Sequence, residues 1–356
     1  MLNSIQYFNG NIHNNESKRP SVGIACRKCS PDWKQSKDIY TLINILTNGG
    51  KYDIYVVKNN RTGKISKTAR IVSVMTVSIT DYSEKIIASV TDGAGNIDFQ
   101  ELRTQLENSG IATIKKALVY FDSAKAGSVA DGLKLFSYMF NEMTGKLKGI
   151  PSIGTSCKLN PACKLNQSIK GSICEHCYAD TMRKTVAYKL ALNTLVLCTW
   201  EFPYEMIGIV PASKLRFESF SDLFNETQIV NYLNIAKKNT HLNSALWTKR
   251  PELLHRAIVN RFNGTKPENL SVVVSSLFVN TPIDIKGKYM LADNTDMVDH
   301  VFTVYTADYA YTHNINVQCG KSICIVCGLC YSRKTEYYIN EVIKDEQPKY
   351  YKLINQ

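Results

Sequence analysis

Eight cysteines in two short stretches are the residues of this chain whose types and spacing best fit a chemical role. The central block, CKLNPACKLNQSIKGSICEHCY, holds Cys157, Cys163, Cys174 and Cys177; the C-terminal block, CGKSICIVCGLC, holds Cys319, Cys324, Cys327 and Cys330. Two thiols separated by two residues share a tight turn that points both sulfurs the same way, towards one metal ion or one corner of a cluster. The spacing therefore predicts that both blocks ligate a metal or a cluster.

Two other uses of cysteine fit these blocks less well. A free cysteine often packs as a small apolar residue, which is our interpretation of Cys198 in the apolar run TLVLCTW. Disulfides belong to oxidising compartments and to small domains with poor cores. This chain has 356 residues, and its polar first twenty lack the apolar stretch of a signal peptide. We therefore expect an intracellular, unsecreted protein with reduced thiols.

A third pair of cysteines, Cys26 and Cys29 in ACRKCSPDW, also has the CxxC spacing. Two ligands cannot close a four-ligand site, so this pair needs partners elsewhere or is a redox-active or idle pair. We leave it out of the site. His176, inside CEHC, is interpreted as a solvent-facing residue rather than a ligand.

The net charge of +12 favours acidic partners such as nucleic acid. The basic residues are spread along the chain, and the densest group, KNNRTGKISKTAR at 58–70, fits a solvated hairpin as well as a loop that contacts a nucleic-acid backbone. The longest apolar runs, such as IVSVMTVSI, have the length of strands. We expect no membrane partner, and the sequence leaves the oligomeric state open.

Residues 1–148 are predicted to form an N-terminal arm and a smaller α+β module. The arm covers residues 1 to about 38, and DIYVV with ARIVSVMTVSI predicts a hairpin. Further along, FQELRTQLENSGI is typical of a helix ended by Gly110, KKALVYFD of a strand, and SVADGLKLFSYMF of a second helix.

Residues 149–345 alternate between strand and helix patterns. The strands are KLRFESF, SALWTK, NLSVVVSSLFV and HVFTVYTADYAYTHN, with amphipathic helices between the first three, and EYYINEVIK is assigned to a closing helix before a polar tail. Alternation of this kind indicates parallel strands joined by crossover helices. The fold class is therefore predicted as α/β, a partial or complete β/α barrel that carries the cysteine blocks.

The ends of these strands supply candidate pocket residues, because ligands of such sheets collect at the carboxyl ends of strands. Arg216 lies within its strand, and Asp222, Thr248, Lys249 and Ser275 lie nearer strand ends. Arg216 or Lys249 would hold an anionic group and Asp222 a polar one. An ordinary set of salt bridges explains these charged residues equally well.

The order of several motifs carries a resemblance to a known family. GIPSIGTSCKLNPAC, CEHCYA, LRFESFSDLFN, LWTK and CIVCGLCY follow one another as in the phage family called gene product eighty-eight. The CYA ending and the β/α alternation are also similar to radical SAM-like barrel proteins of phages, in which cysteines hold an iron–sulfur cluster. The resemblance covers roughly residues 149–335. It implies a viral protein located in a host cytoplasm, with packaging into virions as an alternative.

The resemblance also implies roles for single residues. The cluster ligands would be Cys157, Cys163, Cys174, Cys177, Cys324, Cys327 and Cys330, and the cofactor-binding residues Arg216, Asp222 and Lys249. Two departures stand out: Ser221 replaces a glycine common in the family, and the radical SAM signature CxxxCxxC is absent from the central block.

Spacing alone fits both zinc and iron, because CxxC pairs suit a four-thiolate zinc site while Cys319, Cys324 and Cys327 follow a ferredoxin order. With the resemblance, we expect an iron–sulfur cluster of the 4Fe-4S type, with zinc as the alternative. Whether the protein is a redox or SAM-type enzyme stays open. The second hypothesis is a zinc- or cluster-stabilised nucleic-acid-binding protein without catalysis. GxGxxG, P-loop, HExxH and GxSxG motifs are absent from the sequence.

Overall fold

The computed structural model divides the chain into two compact units, residues 1–78 and 79–356. The residues described are 4–7, 40–48, 52–59, 65–70, 90, 96–175, 177–181, 184–333 and 336–354. Cys26, Cys29, His176 and most of the predicted N-terminal arm lie outside this set. The interpretations of those residues therefore stay predictions.

The first unit contains a four-stranded antiparallel sheet. Its strands, in sheet order, are β1 (Ser4–Tyr7), β2 (Tyr40–Asn48), β3 (Tyr52–Asn59) and β4 (Ile65–Arg70). β3 confirms the strand predicted at DIYVV and pairs with β4. Most of the predicted partner strand ARIVSVMTVSI lies outside the described residues, so that part stays a prediction. β-branched and aromatic side chains are frequent in β3, as a pleated strand favours.

The second unit is built on a seven-stranded sheet. Its strands are β5 (Asn141–Glu142), β6 (Pro151–Ile153), β7 (Lys214–Phe217), β8 (Asn243–Thr248), β9 (Leu270–Ser275), β10 (His300–Tyr305) and β11 (Tyr338–Val342). They follow the order β11-β10-β9-β8-β7-β6-β5, and all neighbours are parallel except β5 and β6. The predicted mixed α/β fold is confirmed. Among the described strands the sheet is open, with β5 and β11 at its edges, so a complete barrel is not confirmed.

The α-helices of the second unit connect or flank these strands. They are α1 (Phe99–Glu107), α2 (Ala112–Lys125), α3 (Val129–Tyr138), α4 (Pro161–Ser168), α5 (Lys184–Thr199), α6 (Glu226–Lys238), α7 (Pro251–Arg261), α8 (Ala307–Thr312), α9 (Cys324–Cys327) and α10 (Gln347–Ile354). α6 and α7 are the crossover helices that the alternation predicts, and each joins two neighbouring parallel strands.

One face of the sheet packs against helices. Along β7 the side chains alternate, so that Leu215 and Phe217 are fully buried in the main hydrophobic core. The Phe217 ring lies 4.6 Å from the ring of Tyr232 on α6. Tyr232 is itself fully buried, so this face is sealed from water.

The C-terminal segment packs against the opposite face. Ala245 and Trp247 of β8 contact a cluster that includes Ile325, Cys330 and Tyr331. Because β8 alternates like β7, these two residues point away from the helices. The C-terminal cysteine block therefore covers the face that would be the interior of a barrel.

Two predicted elements are wrong, and a third is wrong in part, because the second half of the strand predicted at HVFTVYTADYAYTHN forms helix α8. KKALVYFD is part of helix α2, because its buried residues Ala117, Leu118 and Phe121 recur with helical spacing and pack into the core. EYYINEVIK contains strand β11, whose residues 338–342 pair with β10. Pairing with β10 completes the sheet edge there, and the predicted polar tail beyond it forms α10.

Helices α1 to α3 bury their apolar faces in the same core as α5 and α6. The contacts divide the chain into compact units after Ser78, and the predicted boundary after residue 148 stays a prediction. Helix α1 buries Leu106 and helix α3 buries Phe136. The apolar faces of these two helices pack against core residues from elements later in the chain.

Candidate functional site

A cavity of about 260 Å³ lies at the carboxyl ends of the parallel strands β6 to β9. Its lining includes all four cysteines of the central block, Cys157, Cys163, Cys174 and Cys177. It also includes the five candidate pocket residues, Arg216, Asp222, Thr248, Lys249 and Ser275. Parallel strands place their carboxyl ends at one edge of the sheet, which is why residues so far apart in sequence meet here.

The loop after β6 is fixed to the loop after β7 by Asn160. The Asn160 Oδ1 accepts a hydrogen bond from the Ala162 N–H (3.0 Å) and caps α4, which begins with Pro161. Its Nδ2 donates to the Asp222 carbonyl (2.8 Å). This capping holds Cys163, on the first turn of α4, beside the strand-end residues.

The carboxylate of Asp222 orders the neighbouring loop. It accepts hydrogen bonds from the Thr248 hydroxyl (2.5 Å), the Lys249 N–H (2.9 Å) and the Leu223 N–H (2.7 Å). Asp222 is buried, and these donors compensate for its removal from water. Asp222 thus acts mainly on the protein backbone around the cavity.

Among the thiols of the central block, Cys157 is buried and the other three are half-buried. Burial raises the pKa of Cys163 well above its ordinary value and the Asp222 carboxylate adds to the rise, while the Ser221 hydroxyl and the Lys249 ammonium oppose it. Burial also raises the pKa of Cys174, and the Lys249 ammonium opposes that rise. Cys163 Sγ lies 3.7 Å from the hydroxyl of Ser221. A cation beside these sulfurs favours their thiolate forms.

Arg216 stands between the two cysteine blocks. Its guanidinium carbon lies 3.9 Å from the centroid of the Trp247 ring, and its Nε is buried without a hydrogen-bond partner in the described structure. Arg216 lines the central cavity, and its charge also opposes the raised pKa of Cys330, which burial brings to about 12. Arg216 therefore lines the cavity of the central block and acts electrostatically on a thiol of the C-terminal block.

The cysteines of the C-terminal block form a second group. Cys324 and Cys327 lie at the two ends of the single turn α9, and Gly328 follows with a φ of 69°. Burial raises the pKa of Cys319, the Lys146 ammonium opposes this, and the neighbouring thiols of Cys324 and Cys327 add to the rise. The Lys146 Nζ lies 4.0 Å from the Cys319 sulfur.

The structure thus places the predicted ligands in two groups on either side of Trp247. Seven of the described cysteines, Cys163, Cys174, Cys198, Cys319, Cys324, Cys327 and Cys330, are free thiols, and Cys198 lies in the core. Among the residues described, no three His, Cys, Asp or Glu side chains form a group arranged to hold a metal ion. The assignment of the eight cysteines as ligands stays a prediction.

Glu218 is a cavity residue that the sequence analysis missed. It follows β7 with a positive φ of 55°, which is unusual outside glycine and costs backbone strain. Its carboxyl is buried and accepts hydrogen bonds from Tyr232, Gln228 and Thr155. Burial raises the pKa of Glu218 to about 8, against the effect of the donors. The donors come from distant segments, so no local sequence pattern marks this residue.

Comparison with protein-family models, with curated proteins and with solved structures found no match for this chain. Membrane crossing has no candidate helix in the described part of the chain, since every helix there is too short or too polar. The geometry defines an open, mostly parallel α/β sheet with a thiol-lined cavity at its carboxyl edge.

Proposed function

We propose that this protein is an iron–sulfur protein whose central cysteine block holds a cluster of the 4Fe-4S type. The observation that carries the proposal is the position of Cys157, Cys163, Cys174 and Cys177 around one cavity. Four thiolates are the usual ligand set of such a cluster. The C-terminal block would hold a second centre of its own, with zinc as the alternative metal for either group.

The cations beside the cavity support an anionic cluster. Thiolate ligands must be deprotonated before they bind metal, and burial alone opposes that at Cys163 and Cys174. Lys249 favours the thiolate form of both residues. When bound, a cluster supplies electron transfer or a site that activates a ligand, while Arg216, Asp222 and Lys249 would orient the bound cofactor or substrate.

The open sheet supports a partial-barrel scaffold similar to that of radical SAM-like proteins. In such a scaffold the cluster lies at the carboxyl ends of the strands, where this cavity lies. A redox or SAM-type reaction is the catalytic form of the proposal. The absent CxxxCxxC signature gives SAM no support from the sequence.

Anaerobic purification of the full-length chain tests the proposal. We expect a brown protein with visible absorbance, iron and acid-labile sulfide, and an EPR or Mössbauer spectrum of a 4Fe-4S cluster. The double variant Cys174→Ala, Cys177→Ala should lose the centre of the central block. Cys198→Ala, which changes a buried cysteine outside the cavity, should keep the full iron content. Stoichiometric zinc without iron would support the zinc alternative over the cluster. Absence of metal from both blocks would overturn the proposal.

The nucleic-acid hypothesis rests on the net charge of +12. If the protein binds DNA or RNA through phosphate contacts, its affinity must fall steeply with rising salt. A gel-shift titration at two salt concentrations, with metal-loaded and metal-free chain, measures this effect. Binding that needs neither metal nor the cysteines would separate this function from the cluster.

A further inference from the structure

The cavity holds more positive than negative charge. Arg216 and Lys249 both line it, and neither forms an ion pair with a carboxylate of the described residues. The nearby carboxylate of Asp222 accepts hydrogen bonds from the Thr248 hydroxyl and from the backbone N–H groups of Leu223 and Lys249. Its charge offsets one of the two cations, so the cavity keeps an excess of one positive charge while Glu218 is uncharged.

The Glu218 carboxyl has one crowded oxygen and one that is nearly free. Oε1 accepts from the Tyr232 hydroxyl (2.6 Å), the Gln228 Nε2 (2.5 Å) and the Thr155 hydroxyl (3.1 Å). Oε2 receives only a long contact from the Thr155 N–H, at 3.4 Å. A proton on this carboxyl therefore belongs on Oε2, because the lone pairs of Oε1 are already engaged.

A donor atom that is buried without a hydrogen-bond partner is costly, because nothing compensates for its removal from water. The Nε of Arg216 is buried without a hydrogen-bond partner. Arg216 is also restrained by its stacking on Trp247 at 3.9 Å, which presents a planar donor in a fixed orientation. A guanidinium fixed in this way suits the oxygens of a carboxylate or a phosphate.

We propose that the cavity binds a small oxyanion, held by the Arg216 guanidinium and the Lys249 ammonium, with the Glu218 carboxyl entering the site in its acid form. The cavity volume of about 260 Å³ limits this ligand to a small molecule or to the anionic end of a larger one. The inference rests on the proposed function only in using the same cavity, since its three side chains need no metal to attract an anion.

The pH dependence of binding follows from the groups around Glu218. Tyr232 of α6 and Thr155 of the loop after β6 donate to it, while Asp222 raises its pKa by repulsion. Cys198 of α5, Cys163 of α4 and Tyr178 also face its charge. With a pKa of about 8, Glu218 is in its acid form at neutral pH and ionises above it. Ionisation cancels the excess positive charge, so anion affinity is present below pH 8 and falls as the pH rises further, by up to about tenfold per unit.

Calorimetric titration of the full-length chain with inorganic phosphate and with acetate tests the proposal, at pH 7 and at pH 9. We expect at least one of the two anions to bind more tightly at pH 7, with proton uptake on binding at pH 9 visible as a heat that depends on the buffer. Arg216→Gln should weaken binding at least about tenfold. Arg256→Gln, which changes an exposed arginine paired with Glu226, should leave it unchanged.

Glu218→Gln should remove the pH dependence while keeping binding, because an amide cannot ionise and its oxygen can take the place of Oε1. If that variant does not fold, Tyr232→Phe gives the second measurement. It removes one donor to the carboxylate while keeping the ring, so the pH at which binding falls should rise. Absence of anion binding, or binding unaffected by Arg216→Gln, would overturn the inference. If iron-loaded protein binds neither anion, the anion site is wrong and the proposed cluster is unaffected. If protein without iron binds an anion, the anion site is supported and the proposed cluster is wrong.

Discussion

The two cysteine blocks differ in what surrounds them, although each contributes four thiols. The central block lines a cavity together with the charged residues Arg216, Asp222 and Lys249. The C-terminal block packs on the face of the sheet beside Trp247, and its Cys327 is exposed to solvent. A cavity with uncompensated charge suits the binding of a ligand, whereas a group that covers a sheet face suits a closed structural or electron-transfer centre.

This difference assigns separate tasks to residues that look alike in sequence. Both blocks end in a CxxC pair, and their spacing does not indicate different roles. The distinction arises because the loops after β6, β7 and β8 converge on one edge of the sheet, while the C-terminal block returns across its face. We therefore expect variants of the two blocks to have different consequences.

The largest expected difference is in thiol reactivity. In metal-free, reduced protein, Cys327 should react with iodoacetamide at least about 100-fold faster than Cys163. Cys327 is exposed, whereas burial raises the pKa of Cys163 and leaves little thiolate to react. Mass spectrometry of peptides from timed samples gives both rates in one experiment. Urea-denatured protein is the control, in which the two rates should converge; equal rates in the native protein would erase the contrast between the blocks.

A smaller effect is expected from Asp222→Ala, which should lower the free energy of unfolding by about 2 kcal/mol. The change leaves three buried donors, from Thr248, Lys249 and Leu223, without their acceptor. Urea denaturation followed by circular dichroism measures the loss. Cys163 should also alkylate faster in this variant, while Cys327 should not change.

The matched control for Asp222 is Asp308→Ala. Asp308 is 67% exposed on its side chain and pairs with Lys349 at the surface. Removing an exposed pair of this kind should change the free energy of unfolding by less than about 1 kcal/mol. Equal losses in the two variants would mean that Asp222 does not organise the loops around the cavity.

The parallel part of the fold follows from patterns along the chain. The runs around Phe217, Trp247 and Val273 are short, apolar and separated by amphipathic helices, and such alternation permits few arrangements other than parallel strands. Once the strands are parallel, residues that follow them must meet at one edge. The proximity of Asp222 and Lys249 to the central cysteines could therefore be predicted without coordinates.

The remaining features depend on contacts between distant segments. KKALVYFD has an apolar run that fits either a strand or a helix, and only the partners of Leu118 and Phe121 in the core decide for α2. Glu218 is similar, because its backbone conformation and its raised pKa arise from Thr155, Gln228 and Tyr232. Local sequence patterns do not reveal such contacts between distant segments. Glu218 was therefore missed, because only the tertiary structure makes it part of the site.

The smallest expected effect concerns Lys146 in the C-terminal block. Its ammonium lies 4.0 Å from the Cys319 sulfur and opposes the raised pKa of that thiol. Lys146→Met should therefore raise the pKa of Cys319 further, lower the thiolate fraction at neutral pH and slow alkylation of Cys319 about threefold.

Because Lys146 also pairs with Glu341, Glu341→Gln is the control that removes the ion pair while keeping the cation. Slower alkylation in Lys146→Met alone would attribute the effect to the charge beside the sulfur. Equal slowing in both variants would attribute it to a shift of the segment, and the thiols of the central block, remote from Lys146 in their electrostatic contacts, should keep their rates in either case.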